Sequence, residues 1–133
     1  MHQFQYEHIN PAVLLNAVSD DVEAFLNLSL IFLDIAPAMM VRIRTAISVA
    51  DSQLLAREAH ALIGTTSLVG AVELTEILRQ VERWSWQTKM AEVVDVLPTL
   101  EHLFAGVERE VEHTTRECAN AAWREAYCLR QGV

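Results

Sequence analysis

The sequence predicts an all-α fold built as an antiparallel bundle of helices. Apolar residues recur at spacings of three and four over long stretches, as they do on one face of an α-helix. No stretch shows sustained alternation of apolar and polar residues, and 4 Gly and 3 Pro in 133 residues are too few for a turn-rich β fold. Hydrophobic residues make up 52% of the chain, so residues 1–133 are predicted to form a single domain around one core. Long helices with short turns favour antiparallel neighbours.

The first two helices are predicted from their start signals. Asn10-Pro11 is typical of an N-cap followed by proline at the first helical position, and opens a short helix through about Val18. Ser19-Asp20-Asp21 supplies a second start, with acids placed favourably for the helix dipole. We expect Pro37 to stop or kink the second helix and a further helical segment to cover Ala38 to Ala50.

Two more helices are predicted in the middle of the chain. Asp51-Ser52 caps a helix that ends near Gly70, which marks a break. A helix from about Val72 to Arg83 follows. We expect residues Trp84 to Gln87 to form a turn in which the two indoles clamp the end of the bundle.

The last long helix carries apolar residues from Met90 to Val111 at helical spacing, and is predicted to be kinked or restarted at Pro98. Residues 117–133 form a C-terminal extension that is Ala-rich and contains Trp123 and Tyr127. This extension either lengthens the last helix or folds back on the bundle, and the sequence leaves both open.

One segment resembles a membrane span by its apolar composition, from Ala24 to Val41. It contains Asp34, and a carboxylate at the centre of a span costs about 2.5–3.5 kcal/mol on insertion scales. Pro37 interrupts the run further, so we interpret the segment as a buried helix pair joined near Asp34 to Pro37.

Charge and cysteine usage limit the classes of function. The net charge is −8 and the pI is near 5.0, so nucleic acid and anionic membranes are unfavourable partners. Cys118 and Cys128 have no zinc spacing, and neither a metal site nor a disulfide framework is predicted. The N-terminus has no basic stretch before an apolar core, and a chain starting at Met1 suggests a cytoplasmic protein.

The scattered ionisable residues predict no second site. His2, His8, His102 and His113 are expected to be solvated, and His102 and His113 are too far apart on one helix to share a metal. Glutamates 108, 110 and 112 are expected to form a solvated helix face.

The segment that predicts chemistry surrounds His60. On a helix, the stripe of Leu55, Ala59 and Leu62 lies to one side, so His60 should point outward. Gly64 costs about 0.5–1 kcal/mol relative to Ala inside a helix, which suggests that something approaches closely one turn after the imidazole. An exposed neutral imidazole is a nucleophile. The predicted docking surface around it comprises Ala56, Arg57, Ile63, Gly64 and Ser67.

The string from Ala59 to Gly64, with Leu68, Gly70-Ala71 and Val81-Glu82 at their present spacings, resembles histidine-containing phosphotransfer (HPt) domains. The helix pair upstream is also similar, so that the resemblance covers about residues 11–112. It implies an up-and-down four-helix bundle with a short N-terminal helix. It also implies that His60 accepts a phosphoryl group from an aspartyl-phosphate on a response-regulator receiver domain and passes it to another. The implied partners are receivers and a hybrid histidine kinase, without nucleic acid or membrane.

The resemblance implies that this chain needs no cofactor of its own, because the receiver brings the acidic pocket, Mg²⁺ and Lys that stabilise the transferring group. The chain departs from the family pattern at Ile63, where a Lys is usual three residues after the histidine. Arg57, one turn before His60, is a candidate substitute for that charge. The alternative function is a non-catalytic adaptor or inhibitor that binds a receiver or kinase, and an apolar residue beside His60 favours it.

Overall fold

Four of the six helices in the described part of the chain begin where a short polar side chain caps them. The structure is a computed structural model that describes residues 4–128. Asp21 Oδ1 accepts from the Ala24 N–H at 3.1 Å and Asp51 Oδ1 from the Leu54 N–H at 3.0 Å, which satisfies donors that a helix start leaves free. Within these residues the helices are α1 Pro11–Ala17, α2 Val22–Ser48, α3 Ser52–Leu68, α4 Val72–Trp86, α5 Met90–Glu117 and α6 Ala121–Tyr127.

The four long helices form the predicted antiparallel bundle. Each of α2 to α5 packs against its neighbours in the sequence, and α5 closes the bundle against α2. Fully buried apolar side chains from all four helices fill the centre, among them Phe32, Leu62, Leu78 and Leu100. The structure has no strand in residues 4–128, and the all-α prediction is confirmed.

The bundle helix α2 is continuous, and the predicted helix pair joined near Asp34 to Pro37 is wrong. Pro37 lies inside α2 and removes one backbone donor, at a cost of about 3 kcal/mol. Phe32, Ala36 and Met40 on either side are at most 2% exposed, so their burial outweighs that cost. Pro98 is likewise an internal residue of α5, which does not restart there.

The predicted turn from Trp84 to Gln87 is also wrong, because α4 runs on to Trp86. Ser85 is buried and its hydroxyl donates to the Val81 carbonyl at 2.7 Å, as a helical residue can. Trp86 is 59% exposed, so the two indoles do not clamp the bundle together.

The turn between α3 and α4 depends on Gly70. Its φ is +73°, and a Cβ there would lie 2.7 Å from the backbone oxygen of Asn10. The left-handed conformation and the close approach of another backbone both favour glycine. The predicted break at Gly70 is confirmed, and it directs α4 back along α3.

Residues 4–9, here called the N-terminal strap, lie along the second half of α5. The Glu110 carboxylate is 6% exposed and accepts backbone N–H groups from Glu7 at 2.9 Å, His8 at 2.7 Å and Ile9 at 3.1 Å. The prediction of a solvated Glu110 is therefore wrong: the strap covers it and supplies the donors that a buried carboxylate needs.

The C-terminal extension folds back, which settles the alternative left open by the sequence. After α5 ends, α6 places Trp123 against Phe25 of the core, with ring centroids 5.3 Å apart. Trp123 Nε1 donates to Tyr6 Oη at 2.9 Å, so the extension also holds the N-terminal strap. Residues 129–133 lie outside the described residues.

The histidines outside α3 are expected from the sequence to be solvated, and the structure places three of them in different environments. His113 Nδ1 is 2.8 Å from Tyr6 Oη and its ring stacks on Phe4, so the expectation of a simply solvated side chain is wrong for it. His8 packs so closely on α5 that a Cβ at Gly106 would lie 2.5 Å from its ring. His102 is exposed, and His2 lies outside the described residues.

Candidate functional site

His60 stands on the outer surface of α3 with its side chain 75% exposed. The residues that place it there are Leu55, Ala59 and Leu62, which are fully buried on the opposite side of the helix. The prediction that His60 points outward is confirmed. An approaching group can reach the imidazole without displacing any part of the bundle.

A carboxylate from the neighbouring helix holds the imidazole. His60 Nδ1 lies 2.9 Å from Glu82 Oε2 of α4, and the Glu82 side chain is 23% exposed. A carboxylate only accepts hydrogen bonds, so the Nδ1–H of His60 is the donor. In the neutral ring, Nε2 then carries the lone pair. The pair therefore leaves Nε2 as the nucleophilic atom.

Sequence reasoning quoted Glu82 only as part of the resemblance and missed its contact with His60. The position of the turn at Gly70-Ala71 in the sequence is enough to predict the contact between Glu82 and His60. In an antiparallel helix pair, residues equally distant from the turn face each other, and residues 60 and 82 are equally distant from Ala71. The buried hydrogen bond between the hydroxyls of Thr66 and Thr75, at 2.8 Å, follows nearly the same register.

The space above Gly64 is open. Gly64 is exposed, and a Cβ built there meets nothing within 4 Å outside its own helix backbone. Close packing between helices therefore does not explain this glycine. A smooth surface extends from the imidazole along the next turn of α3, where Ser67 is also exposed. The Ser67 hydroxyl donates to the Ile63 carbonyl at 2.6 Å, which ties it back onto the helix.

Two residues of the predicted docking surface are buried and must be removed from it. Ala56 is 0% exposed and Ile63 is 8% exposed. Positions three and four residues from His60 on its α4 side turn inward, because α4 packs there. Arg57, Gly64 and Ser67 are exposed and remain available to a partner. The burial of Ile63 also removes the argument that it offers an apolar contact beside His60.

Charge near His60 is arranged asymmetrically. Glu82 supplies a negative charge at Nδ1, and the position where a Lys is usual holds the buried Ile63. Arg57 is exposed on the same helix and forms no ion pair with another residue of the described range 4–128. Its guanidinium is therefore free to meet an anion brought to this surface.

Other candidate nucleophiles and ligands do not form a competing site. Burial raises the pKa of the Cys118 and Cys128 thiols, which disfavours the reactive thiolates. Among residues 4–128, no group of three or more His, Cys, Asp or Glu side chains is arranged to hold a metal ion.

Comparison with known proteins gives a family match for this chain. The family model described as the Hpt domain matches residues 27–125, which include His60, Gly64 and Glu82. No curated protein matches the chain, and no solved structure does.

Proposed function

The chain belongs to the Hpt domain family, and from this premise we propose that His60 accepts a phosphoryl group from a receiver aspartyl-phosphate and passes it to another receiver. Hpt domains take part in histidine phosphotransfer in two-component signalling. They interact with the receiver domains of response regulators and with kinases. The observation that carries the proposal is the exposed His60 ring, held through Nδ1 by Glu82 with Nε2 directed away from that contact.

The transfer needs one nucleophile from this chain. The Nε2 lone pair of His60 attacks phosphorus in line with the bond to the aspartate oxygen, a P–N bond forms, and the carboxylate leaves with the electrons of the broken P–O bond. The ring becomes cationic as it attacks. The Glu82 carboxylate at Nδ1 stabilises that developing charge and keeps the proton on Nδ1. We expect Mg²⁺ and the remaining positive charge to come from the partner receiver.

The docking surface in this proposal follows the exposed side of α3. Gly64 and Ser67 form its smooth part next to His60, and Arg57 supplies a positive charge one turn before it. Val72 at 70% exposure and Trp86 at 59% exposure are apolar side chains of α4, which packs beside α3. Exposed large apolar side chains on the neighbouring helix add area that a partner protein can bury.

A non-catalytic adaptor is the second candidate, and Ile63 is the observation that favours it. Without a Lys at that position, the chain lacks the positive charge that usually lies near the phosphoryl group. The two functions differ in what they require of His60, since an adaptor tolerates its replacement and a relay does not.

The test is phosphoryl transfer from radiolabelled, phosphorylated receiver domains to the native chain and to a His60→Gln variant. We expect acid-labile label on the native chain and none on the variant. His102→Gln is the matched control, because His102 is an exposed histidine on another helix, and it should accept label like the native chain. Receiver binding by both the native chain and His60→Gln, with label on neither, would instead establish the adaptor.

Gly64 tests the docking geometry separately from the chemistry. Gly64→Gln should block transfer because the longer side chain fills the open space beside the imidazole, whereas circular dichroism should show unchanged helix content. Gly64→Ala adds one methyl group to that space and is the control. Unchanged transfer by Gly64→Gln would show that the receiver docks elsewhere.

Glu82 is a positioning residue in this mechanism, and its removal should slow transfer without abolishing it. A charge-assisted hydrogen bond discounted for the exposure of His60 contributes about 1 kcal/mol, so Glu82→Ala should transfer about fivefold more slowly. Ring ¹⁵N chemical shifts of His60 should also show less of the Nδ1–H tautomer. A slower rate with an unchanged tautomer would assign Glu82 a structural role only.

A further inference from the structure

The outward face of α2 carries large apolar side chains that no other helix within residues 4–128 covers. Leu30, Ile31, Ile35 and Val41 are 48%, 50%, 36% and 55% exposed, although the outer face of a bundle helix is usually polar. By length and composition α2 is apolar enough to cross a membrane, and only 28% of its most apolar window is buried in the bundle. Several large apolar side chains exposed on one helix face indicate an interaction surface.

Two opposite charges and one small residue lie along this face. Asp34, Ala38 and Arg42 follow one another at intervals of four residues, so they form a row on the same side of α2. Asp34 is exposed and pairs with no other residue among those described. Arg42 Nε donates to Glu58 Oε1 at 2.9 Å, which fixes the guanidinium while its two terminal NH₂ groups stay available.

We propose that this face binds a second copy of the same chain, with the two α2 helices antiparallel and the two-fold axis at Ala38. In that arrangement, residues equally distant from Ala38 face each other. Asp34 then meets Arg42 of the second copy, Ile35 meets Val41, and symmetry repeats each contact. The small Ala38 side chain lets the helices approach closely at the axis, and the charge order fixes their antiparallel direction.

The size of the face predicts a weak, reversible dimer. A helix of 27 residues is about 40 Å long and about 10 Å wide, which gives a footprint of roughly 400 Å². Standard interfaces bury about 800 Å² per partner, so we expect a dissociation constant in the range of about 1–100 µM.

This dimer leaves the phosphotransfer surface open. Glu58 of α3 faces α2 through its bond to Arg42, and His60 lies two positions later, about 200° around the helix. The inference therefore stands or fails independently of the proposed function.

Reciprocal charge reversal tests the proposed register. In a dimer of either Asp34→Arg or Arg42→Asp, positions 34 and 42 carry like charges at both symmetric contacts. Each variant alone should therefore dimerise at least about tenfold more weakly than the native chain. An equimolar mixture of the two should recover dimerisation to near the native level, because both pairs in the mixed dimer have opposite charges. Asp95→Arg is the matched control, since it makes the same charge change at an exposed position of α5.

Sedimentation equilibrium from about 1 µM to about 500 µM measures the dissociation constant of each protein and of the mixture. A native chain that stays monomeric throughout would overturn the proposal, as would single variants that dimerise like the control. Failure of the mixture to recover would overturn the antiparallel register. Flotation of the native chain with neutral phosphatidylcholine vesicles, lost in Val41→Asp, would assign the face to lipid and also overturn the proposal.

Discussion

Replacing Glu110 by alanine tests whether one buried carboxylate holds the N-terminal strap in place. Its oxygens accept three backbone N–H groups at 2.7 to 3.1 Å, and such bonds to a charged acceptor are stronger than neutral ones. At about 1–1.5 kcal/mol net for each bond, their loss sums to about 3–4.5 kcal/mol. The strap can instead detach and expose its N–H groups to water, which limits the loss to the free energy of strap docking. We therefore expect Glu110→Ala to lower the free energy of unfolding by about 2–4 kcal/mol.

The assay is urea unfolding followed by circular dichroism, combined with amide hydrogen exchange of Glu7, His8 and Ile9. Those three amides should lose protection in Glu110→Ala even where the rest of the bundle keeps it. Glu112→Ala is the matched control, because Glu112 is an exposed glutamate of the same helix. Equal stability of the two variants, or unchanged protection of the three amides, would refute the reasoning.

Two further predictions concern the Gly70 turn and the Tyr6 hydroxyl. Gly70→Ala should destabilise the fold by about 2–4 kcal/mol in urea unfolding, because the left-handed φ and the approach of the Asn10 oxygen both oppose a Cβ. Gly64→Ala is its control and should be stabilising by about 0.5–1 kcal/mol, since its Cβ meets open space. Burial raises the pKa of Tyr6 from 10.0 to about 12, although the hydrogen bond from Trp123 lowers it. The folded protein therefore keeps the Tyr6 proton longer than the unfolded chain, so its contribution to stability is complete below pH 10 and falls as pH rises to about 12. The difference in phenolate absorbance between the native chain and Tyr6→Phe measures this titration, and a midpoint near pH 10 would contradict it.

Features set by local chemistry could be predicted from the sequence. Asp51 at a helix start and Gly70 at a helix end obey rules that involve only a few neighbouring residues. Local rules also predict that Pro37 and Pro98 interrupt their helices. Packing of the surrounding helix instead keeps each helix continuous. Propensity alone does not include that packing energy.

The parts of the site that could not be predicted depend on contacts between distant residues. Its position on a helix predicts that Glu110 lies on the surface. The strap that buries it is more than one hundred residues earlier in the chain, so the neighbouring sequence does not reveal this contact. Ala56 and Ile63 sit on the same side of α3 as His60 by spacing alone, and the side that α4 covers decides that they are buried. Glu82 became identifiable only through the register of the α3–α4 hairpin.

The burial of Glu110 beneath the strap means that the region shared with the family lacks contacts that the whole chain makes. The family match begins at residue 27, whereas the strap and α1 precede it. A fragment restricted to 27–125 would retain the Glu110 carboxylate but lose all three of its backbone donors, together with the buried Leu14 and Leu15 of α1. Boundaries drawn from homology would thus give a protein with an open core and a Glu110 carboxylate that has lost its cover and its protein donors. Transplanting this module into another signalling protein therefore requires the residues from the strap onward, including a segment that is absent from the family match.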